Sequence, residues 1–289
     1  MIVCTTIDGI RSNIRWLRAE RKIGELSPRI GFVPTMGFLH EGHASLIQKA
    51  RAENEIVIVS IFINPKQFGP NEDINRYPRS PQEDQLLCEQ LGVDALFTPS
   101  VEEMYGKSDI YTHVHVDLLG NFLCGKSRPG HFDGVCTVVS KLFHIITPDA
   151  AYFGQKDAQQ LRIIEQMVHD LSMPIEIVSC PIVREADGLA KSSRNAYLSK
   201  EERALAPEIF NTMKWMKQQI ILEENDVRQV RVEAIHRLEG YPGFKVDYVS
   251  IVDKKTLAPV DHIDHVSGTL LAVAVYVGNT RLIDNINIA

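Results

Sequence analysis

Ile30-Gly31-Phe32-Val33-Pro34-Thr35-Met36-Gly37-Phe38-Leu39-His40-Glu41-Gly42-His43 reads as a strand, a turn and the start of a helix. Ile30 to Val33 is apolar and strand-like, Pro34 and Gly37 break it, and helical apolar spacing resumes at Leu46 and Ile47. His40 and His43, three positions apart, share one face at the electropositive helix N-terminus, with no side chain at Gly42 between them. A phosphate chain lying across that end, with a flat base close to the small residues, suits the arrangement. From this stretch alone two other readings stay open. One is a pair of half-buried histidines without chemistry. The other is a metal site, for which no third Cys, His or carboxylate stands at an obvious ligand spacing.

Outward from this stretch, strand-like runs near 30–34, 56–63, 94–98, 149–153 and 174–179 alternate with helical patterns near 43–54, 81–91, 134–146 and 157–171. This is the βαβ rhythm of an α/β parallel sheet with helices on both faces. Ile56 to Ile63 is apolar on both faces, as a central covered strand should be. Ligands of such sheets bind beyond the carboxyl ends of the strands, so the loops starting at Pro34, Asn64 and Gly154 are expected to converge on one crevice. After about residue 182 the pattern changes to helices near 200–222 and 226–239, then antiparallel strands Lys245 to Val252 and Thr269 to Val277. The expectation is a first domain over 1–182 and a smaller α+β domain over 183–289, with the boundary near Pro181. Met104 to Gly134 is poor in regular signals and reads as a mobile loop over the crevice.

The chain has 289 residues, 44% of them hydrophobic, which gives room for a substantial core. A net charge of −6, with 31 basic residues spread along the chain, argues against an extended nucleic-acid groove and favours small anionic ligands. Five cysteines with no C-x-x-C spacing argue against a disulfide framework or structural zinc and fit a reducing cytosol. No segment approaches the ~18 uninterrupted apolar residues of a membrane span, and the N-terminal residues show no basic cluster followed by a long apolar run, so neither membrane insertion nor secretion is expected.

Two further constellations carry chemistry. Gly154-Gln155-Lys156-Asp157, followed by Gln159-Gln160, lies where a strand gives way to a helix, so an anion meets Lys156 and backbone N–H groups there; the plain alternative is Asp157 as a helix cap. Lys191-Ser192-Ser193-Arg194-Asn195 sets two hydroxyls between two cations, as a polyphosphate clamp would, although such runs are also ordinary solvated loops.

With these blocks the sequence resembles the pantothenate synthetase family, within the nucleotidyl-transferring superfamily that includes class I aminoacyl-tRNA synthetases. The resemblance is carried by Pro34 to His43, by Phe62-Ile63-Asn64-Pro65-Lys66-Gln67-Phe68-Gly69, by Tyr77-Pro78-Arg79, by Phe153 to Leu161, and by Val183 to Ala190 leading into Ser192 to Asn195. A lone H-x-G-H would indicate only the superfamily; the order and spacing of five blocks is far more specific. The resemblance implies ATP-dependent condensation of pantoate with β-alanine to pantothenate, AMP and pyrophosphate, through a pantoyl adenylate. It implies a Rossmann-like N-terminal domain that binds ATP and pantoate, a C-terminal domain carrying the 191–194 clamp, a homodimer, and Mg²⁺ bound mainly through the ATP phosphates. The family's ATP contacts fall on Met36, Gly37, Phe38, Leu39, His40, Glu41, Gly42 and His43, on Gly154, Gln155, Lys156 and Asp157, on Val183, and on Lys191, Ser192, Ser193 and Arg194. Its pantoate contacts fall on Met36, Asn64, Gln67 and Gln160, with Gln67 also near β-alanine and His43 in the proton-donor position. Catalytic roles then go to His40, His43, Lys156, Ser192, Ser193 and Arg194.

The chain departs from the family pattern at two places. Lys191 stands where Met or Leu is frequent, and either meets a phosphate or points to solvent; Gln155 replaces a frequent Glu. Glu83 and Asp84 match an acidic pair near the family's β-alanine end, yet acids in a first helical turn also follow from the helix dipole, and the structural reading is preferred. Arg128 and His131 are candidates for the pocket lining, His113 and His115 alternate on an expected strand, and His262 and His265 read as loop residues. Two rival functions are a nucleotidyltransferase that stops at a nucleotide conjugate, and a non-catalytic nucleotide-binding regulator.

Overall fold

The computed structural model describes residues 1–22, 24–70, 72–107, 110–221, 226–263 and 268–288. In chain order the elements begin β1 (Ile2–Cys4), α1 (Ile7–Glu20), β2 (Ile30–Thr35), α2 (Glu41–Glu53), β3 (Ile56–Ile61), α3 (Pro81–Gln90), β4 (Ala95–Phe97) and α4 (Val101–Tyr105). They continue α5 (Leu123–Ser127), α6 (His131–Ile146), β5 (Ala150–Gly154), α7 (Ala158–Asp170) and β6 (Glu176–Cys180). The last are α8 (Lys200–Leu205), α9 (Glu208–Ile221), α10 (Val227–Glu239), β7 (Phe244–Asp253), β8 (Thr269–Val277) and β9 (Thr280–Asn287). The chain forms two compact units. The first comprises 1–116, 129–155 and 163–181; the second comprises 117–128, 156–162 and 182–289. Two segments upstream of residue 182 thus fold with the second unit.

The first unit holds a six-stranded parallel sheet in the order β1-β4-β3-β2-β5-β6. Strand order reverses between β2 and β5, which places the switch point of a Rossmann-like sheet beside the two loops that leave at Met36 and Gly154. Ile56 to Ser60 in β3 is fully buried, as its unbroken apolar run requires. One core cluster joins Val33, Leu46, Ile47, Val57, Val59, Leu96 and Tyr152 across β2, α2, β3, β4 and β5. β1 and α1 precede the first expected strand. α1 is capped by the Thr6 hydroxyl and buries Ile10, Ile14 and Leu17 on one face.

In the second unit β7, β8 and β9 form an antiparallel sheet, and Met213, Met216, Val230 and Leu238 of α9 and α10 join its core. The helix expected over 200–222 is two helices, because Pro207 lacks the N–H needed to continue α8. β9 is a third strand beyond the expected pair. Gly278-Asn279 makes the two-residue hairpin, with Gly278 at φ +56°. Arg281, Asp284, Asn285 and Asn287 obscure its apolar alternation; buried Asp284 and Asn285 have partners elsewhere in the unit.

The described part of Met104 to Gly134 carries regular structure that the sequence signals did not show. It holds the end of α4, a 3₁₀ turn at Leu119–Asn121, α5 and the start of α6, with Leu119, Leu123 and Cys124 buried. His113 and His115 lie on extended chain outside any sheet, and His115 Nδ1 sits 2.7 Å from Asp133 Oδ1. His265 lies outside the described residues. No helix among the described residues is long and apolar enough to cross a membrane.

Candidate active site

In the first unit the helix start is built from its own histidines. His40 is the N-cap of α2, and its Nδ1 accepts from the Gly42 N–H at 3.1 Å; the His40 N–H in turn donates to His43 Nδ1 at 3.3 Å, closing a capping box. The ring centroids lie 4.1 Å apart. Because Nδ1 accepts in both rings, the proton of each neutral imidazole sits on Nε2, and two Nε2–H donors result side by side. The backbone amides are spent differently from the expectation. Gly37 N–H donates to Thr35 Oγ1, Phe38 and Leu39 N–H to Asp84, and Gly42 N–H to His40. The four backbone N–H groups named here are therefore already bonded within the first unit.

A second cluster follows β3. Asn64, 1% exposed, donates to Gln67 Oε1 at 3.1 Å and to Gly134 O at 3.0 Å, and its Oδ1 accepts from Tyr105 Oη at 2.7 Å. Gln67, 8% exposed, points Nε2 at Met36 Sδ, 3.1 Å away, so the turns after β2 and β3 meet as expected. His131, buried at the start of α6, places Nδ1 2.7 Å from Gln67 O and thereby supports the Pro65–Gln67 turn. Gly134 is required here by space. A Cβ would lie 2.3 Å from Lys66 O and 2.7 Å from Gln67 Cα. Gly134→Ala is expected to push this turn away, destabilising the protein by ~1–3 kcal/mol; thermal unfolding of the variant checks it.

Gly154 ends β5, and a Cβ built on it meets no atom within 4 Å, so protein packing does not explain the glycine. Gln155, in the same unit, donates Nε2–H to Ser179 Oγ at 2.9 Å.

The second unit carries the remaining candidates. Lys156 is largely buried, with Nζ 3.9 Å from Asp157 Oδ2, and its carbonyl accepts from Asn285 Nδ2 at 2.9 Å. Lys156, Ser192, Asn195 and Asp284 line one small cavity, which brings the lysine to the serine run. Ser192 caps the 3₁₀ turn Ser193–Tyr197 by accepting from the Arg194 N–H, and Ser193 is buried. Val183 accepts the Lys191 N–H at the base of a short hairpin whose bend uses Gly188 at φ +97°. Lys191 does not simply point to solvent: Nζ lies 2.8 Å from Glu185 Oε2, with both side chains mostly buried.

Neighbouring residues in two motifs separate by burial. Gln159 is saturated, accepting from Cys124 N–H and donating to Leu119 and Phe122 carbonyls, whereas Gln160 is half-exposed and its side chain makes no hydrogen bond among the described residues. Glu83 is exposed and Asp84 buried. Arg128 ends α5 in the second unit, and His131 lies in the first. The sequence reading gave no weight to Arg184, which grips buried Asp284 through two bonds of 2.6 and 2.9 Å and stacks 3.7 Å over Phe210. Its signal is an arginine inside the Val183 to Ala190 block paired with an acid in an otherwise apolar strand, legible only once β9 is placed.

The fold and site thus define an α/β protein with a Rossmann-like parallel sheet whose switch-point helix begins with a paired-imidazole capping box. The family model for pantoate–beta-alanine ligase matches residues 3–287. Pantothenate synthetase of Thermotoga petrophila is 52% identical over 285 residues, 99% of either chain. That of Clostridium botulinum (strain Kyoto, type A2) is 56% identical over 99% of this chain and 98% of its own. Among solved structures, pantothenate synthetase from Thermus thermophilus aligns with TM-score 0.89 at 42% identity, covering 100% of this chain and 99% of that one. The Francisella tularensis pantoate–beta-alanine ligase, complexed with beta-gamma ATP and beta-alanine, aligns at 0.78 and 36% identity over 100% and 98%. The chain belongs to the pantoate–beta-alanine ligase family.

Proposed function

We infer that this chain is an ATP-dependent ligase that joins pantoate to β-alanine through a pantoyl adenylate, releasing pyrophosphate and then AMP. Family membership across nearly the whole chain supports the ligase reaction. The observation that carries the chemistry is the His40/His43 capping box, which holds two imidazoles side by side, 4.1 Å between ring centroids, at the start of the helix. In the first step a pantoate carboxylate oxygen attacks the α-phosphorus, the bond to the β-phosphate oxygen breaks, and pyrophosphate leaves. Negative charge grows on the α-phosphate oxygens and on the leaving group, where fixed donors and cations stabilise it most. His40, His43 and Lys156 serve the α-phosphate; Ser192, Ser193 and Arg194 serve the departing pyrophosphate. In the second step the free amine of β-alanine attacks the acyl carbon, AMP leaves, and the nitrogen loses a proton as the amide forms.

The ATP contacts proposed for this chain are Met36 to His43, Gly154 and Gln155 in the first unit, and Lys156, Asp157, Val183 and Lys191 to Arg194 in the second. Gly154, with open space where its Cβ would stand, lets the nucleotide approach the backbone. Pantoate is held by Gln67 and Gln160, whose amides both donate and accept, beside Met36 and Asn64, and Gln67 also meets β-alanine. The assignment of ATP and pantoate binding to 1–182 and of the phosphate clamp to 183–289 is part of the same proposal, as are a homodimer and a cytoplasmic location. Mg²⁺ would travel with the ATP phosphates. Such an ion keeps water and phosphate ligands.

A pyrophosphate-release assay with ATP and pantoate, with and without β-alanine, tests the reading. Pantoate-dependent pyrophosphate and AMP release that needs both substrates for sustained turnover is expected. A stable nucleotide conjugate would indicate the nucleotidyltransferase, and ATP binding without pyrophosphate release under any substrate pair would indicate the regulator.

A further inference from the structure

We propose that Asp84 is a positioning residue for the nucleotide turn, acting on ATP through the backbone of Phe38 and Leu39 and not on the amine substrate. The inference rests on the reading that Met36 to His43 meets ATP. Asp84 stands in the first turn of α3 and is 3% exposed. Its Oδ2 accepts from Phe38 N–H at 2.8 Å, and its Oδ1 from Leu39 N–H at 2.7 Å and Ser80 Oγ–H at 3.0 Å. A buried carboxylate satisfied on both oxygens has no open face for an ammonium group.

The turn it grips is one the chain resists. Gly37 has φ +85° and Phe38 φ +52°, and the left-handed region is costly for phenylalanine. A Cβ at residue 37 would meet Ile61 Cγ2 at 2.9 Å and Asp84 Oδ2 at 3.1 Å, so the glycine and the aspartate fit as a pair. Met36 precedes this left-handed pair and His40 follows Leu39, so the carboxylate fixes the path between the residue that touches Gln67 and the residue that opens the capping box. It also takes up two consecutive amides of the turn.

The test compares Asp84→Asn, Ser80→Ala and the exposed control Glu83→Gln in the full chain. Three quantities are read: the Kd of a non-hydrolysable ATP analogue, pantoate-dependent ATP–pyrophosphate exchange without β-alanine, and the β-alanine KM. Asparagine sets an N–H against one turn amide, so the analogue Kd should rise about tenfold or more. Exchange at subsaturating ATP should fall with it, and β-alanine KM should stay within about twofold. Ser80→Ala should move the Kd the same way by less, and Glu83→Gln should leave all three quantities unchanged. A raised β-alanine KM with wild-type ATP affinity and exchange would overturn the proposal. Should Asp84→Asn not fold, Ser80→Ala decides: a weaker analogue Kd supports the role and an unaltered one refutes it. Absence of exchange in the wild type would count against the ligase reading, while the affinity measurements would still judge Asp84.

Discussion

Replacing His43 or Lys156 by alanine is expected to lower pantoate-dependent ATP–pyrophosphate exchange by ~10²-fold or more, the usual contribution of one fixed transition-state donor. The two variants should differ in what else they change. His43 Nδ1 closes the capping box by accepting the His40 N–H, so His43→Ala also removes a cap worth ~1 kcal/mol. His43→Asn keeps an acceptor near the Nδ1 position without the Nε2–H. It should therefore regain thermal stability and stay slow, which separates capping from donation to the phosphate. Among the described residues Lys156 has only Asp157 within ion-pair range, at 3.9 Å, so Lys156→Met should keep the fold and lose the rate. Near-normal exchange in His43→Ala and Lys156→Met together would remove both roles.

Arg184→Met is expected to cost ~3–5 kcal/mol of stability, because it strips the cation from a buried carboxylate. Asp284 is 5% exposed and, among the described residues, would keep only the Asn285 N–H at 2.7 Å. Arg184 also donates to Gly188 O at 3.0 Å and covers Phe210, so the hairpin that leads into Lys191 and Ser192 loses its tie to β9. The double variant Arg184→Met/Asp284→Leu should recover much of the stability, since apolar replacement of a buried pair is often tolerated. Its exchange rate should stay low because the clamp loses its anchor. Urea unfolding and exchange on the same preparations check this; a double variant that recovers full rate would show that the ion pair serves stability alone.

The expected βαβ elements of the first unit were legible because their signals are local. Ile56 to Ile63 is apolar on both faces, and Pro34 and Gly37 punctuate a strand-to-helix turn. The motif blocks were legible for the same reason, since each places its chemistry within about a dozen residues and one block after another fits one family. β9 was harder. Its inward side carries Asp284, whose partner Arg184 lies 100 positions away, and alternation of apolar residues cannot report a buried ion pair.

What the sequence determined by itself was the α/β class, the turn after Ile30 to Val33, the H-x-G-H pair and the family, all readable from residues near one another in the chain. Tertiary structure decided which member of each close pair does what. Asp84 is buried against amides 45 and 46 positions away while Glu83 stays exposed, and Gln159 is consumed by the 119–124 segment while Gln160 is not. It also decided which amides at the start of the first motif helix are already taken, those of Phe38 and Leu39 by Asp84 and that of Gly42 by His40. The reason is that a hydrogen-bond donor is available to a ligand only if no distant acceptor has taken it, and that assignment depends on which segments the fold brings within about 3 Å of each other.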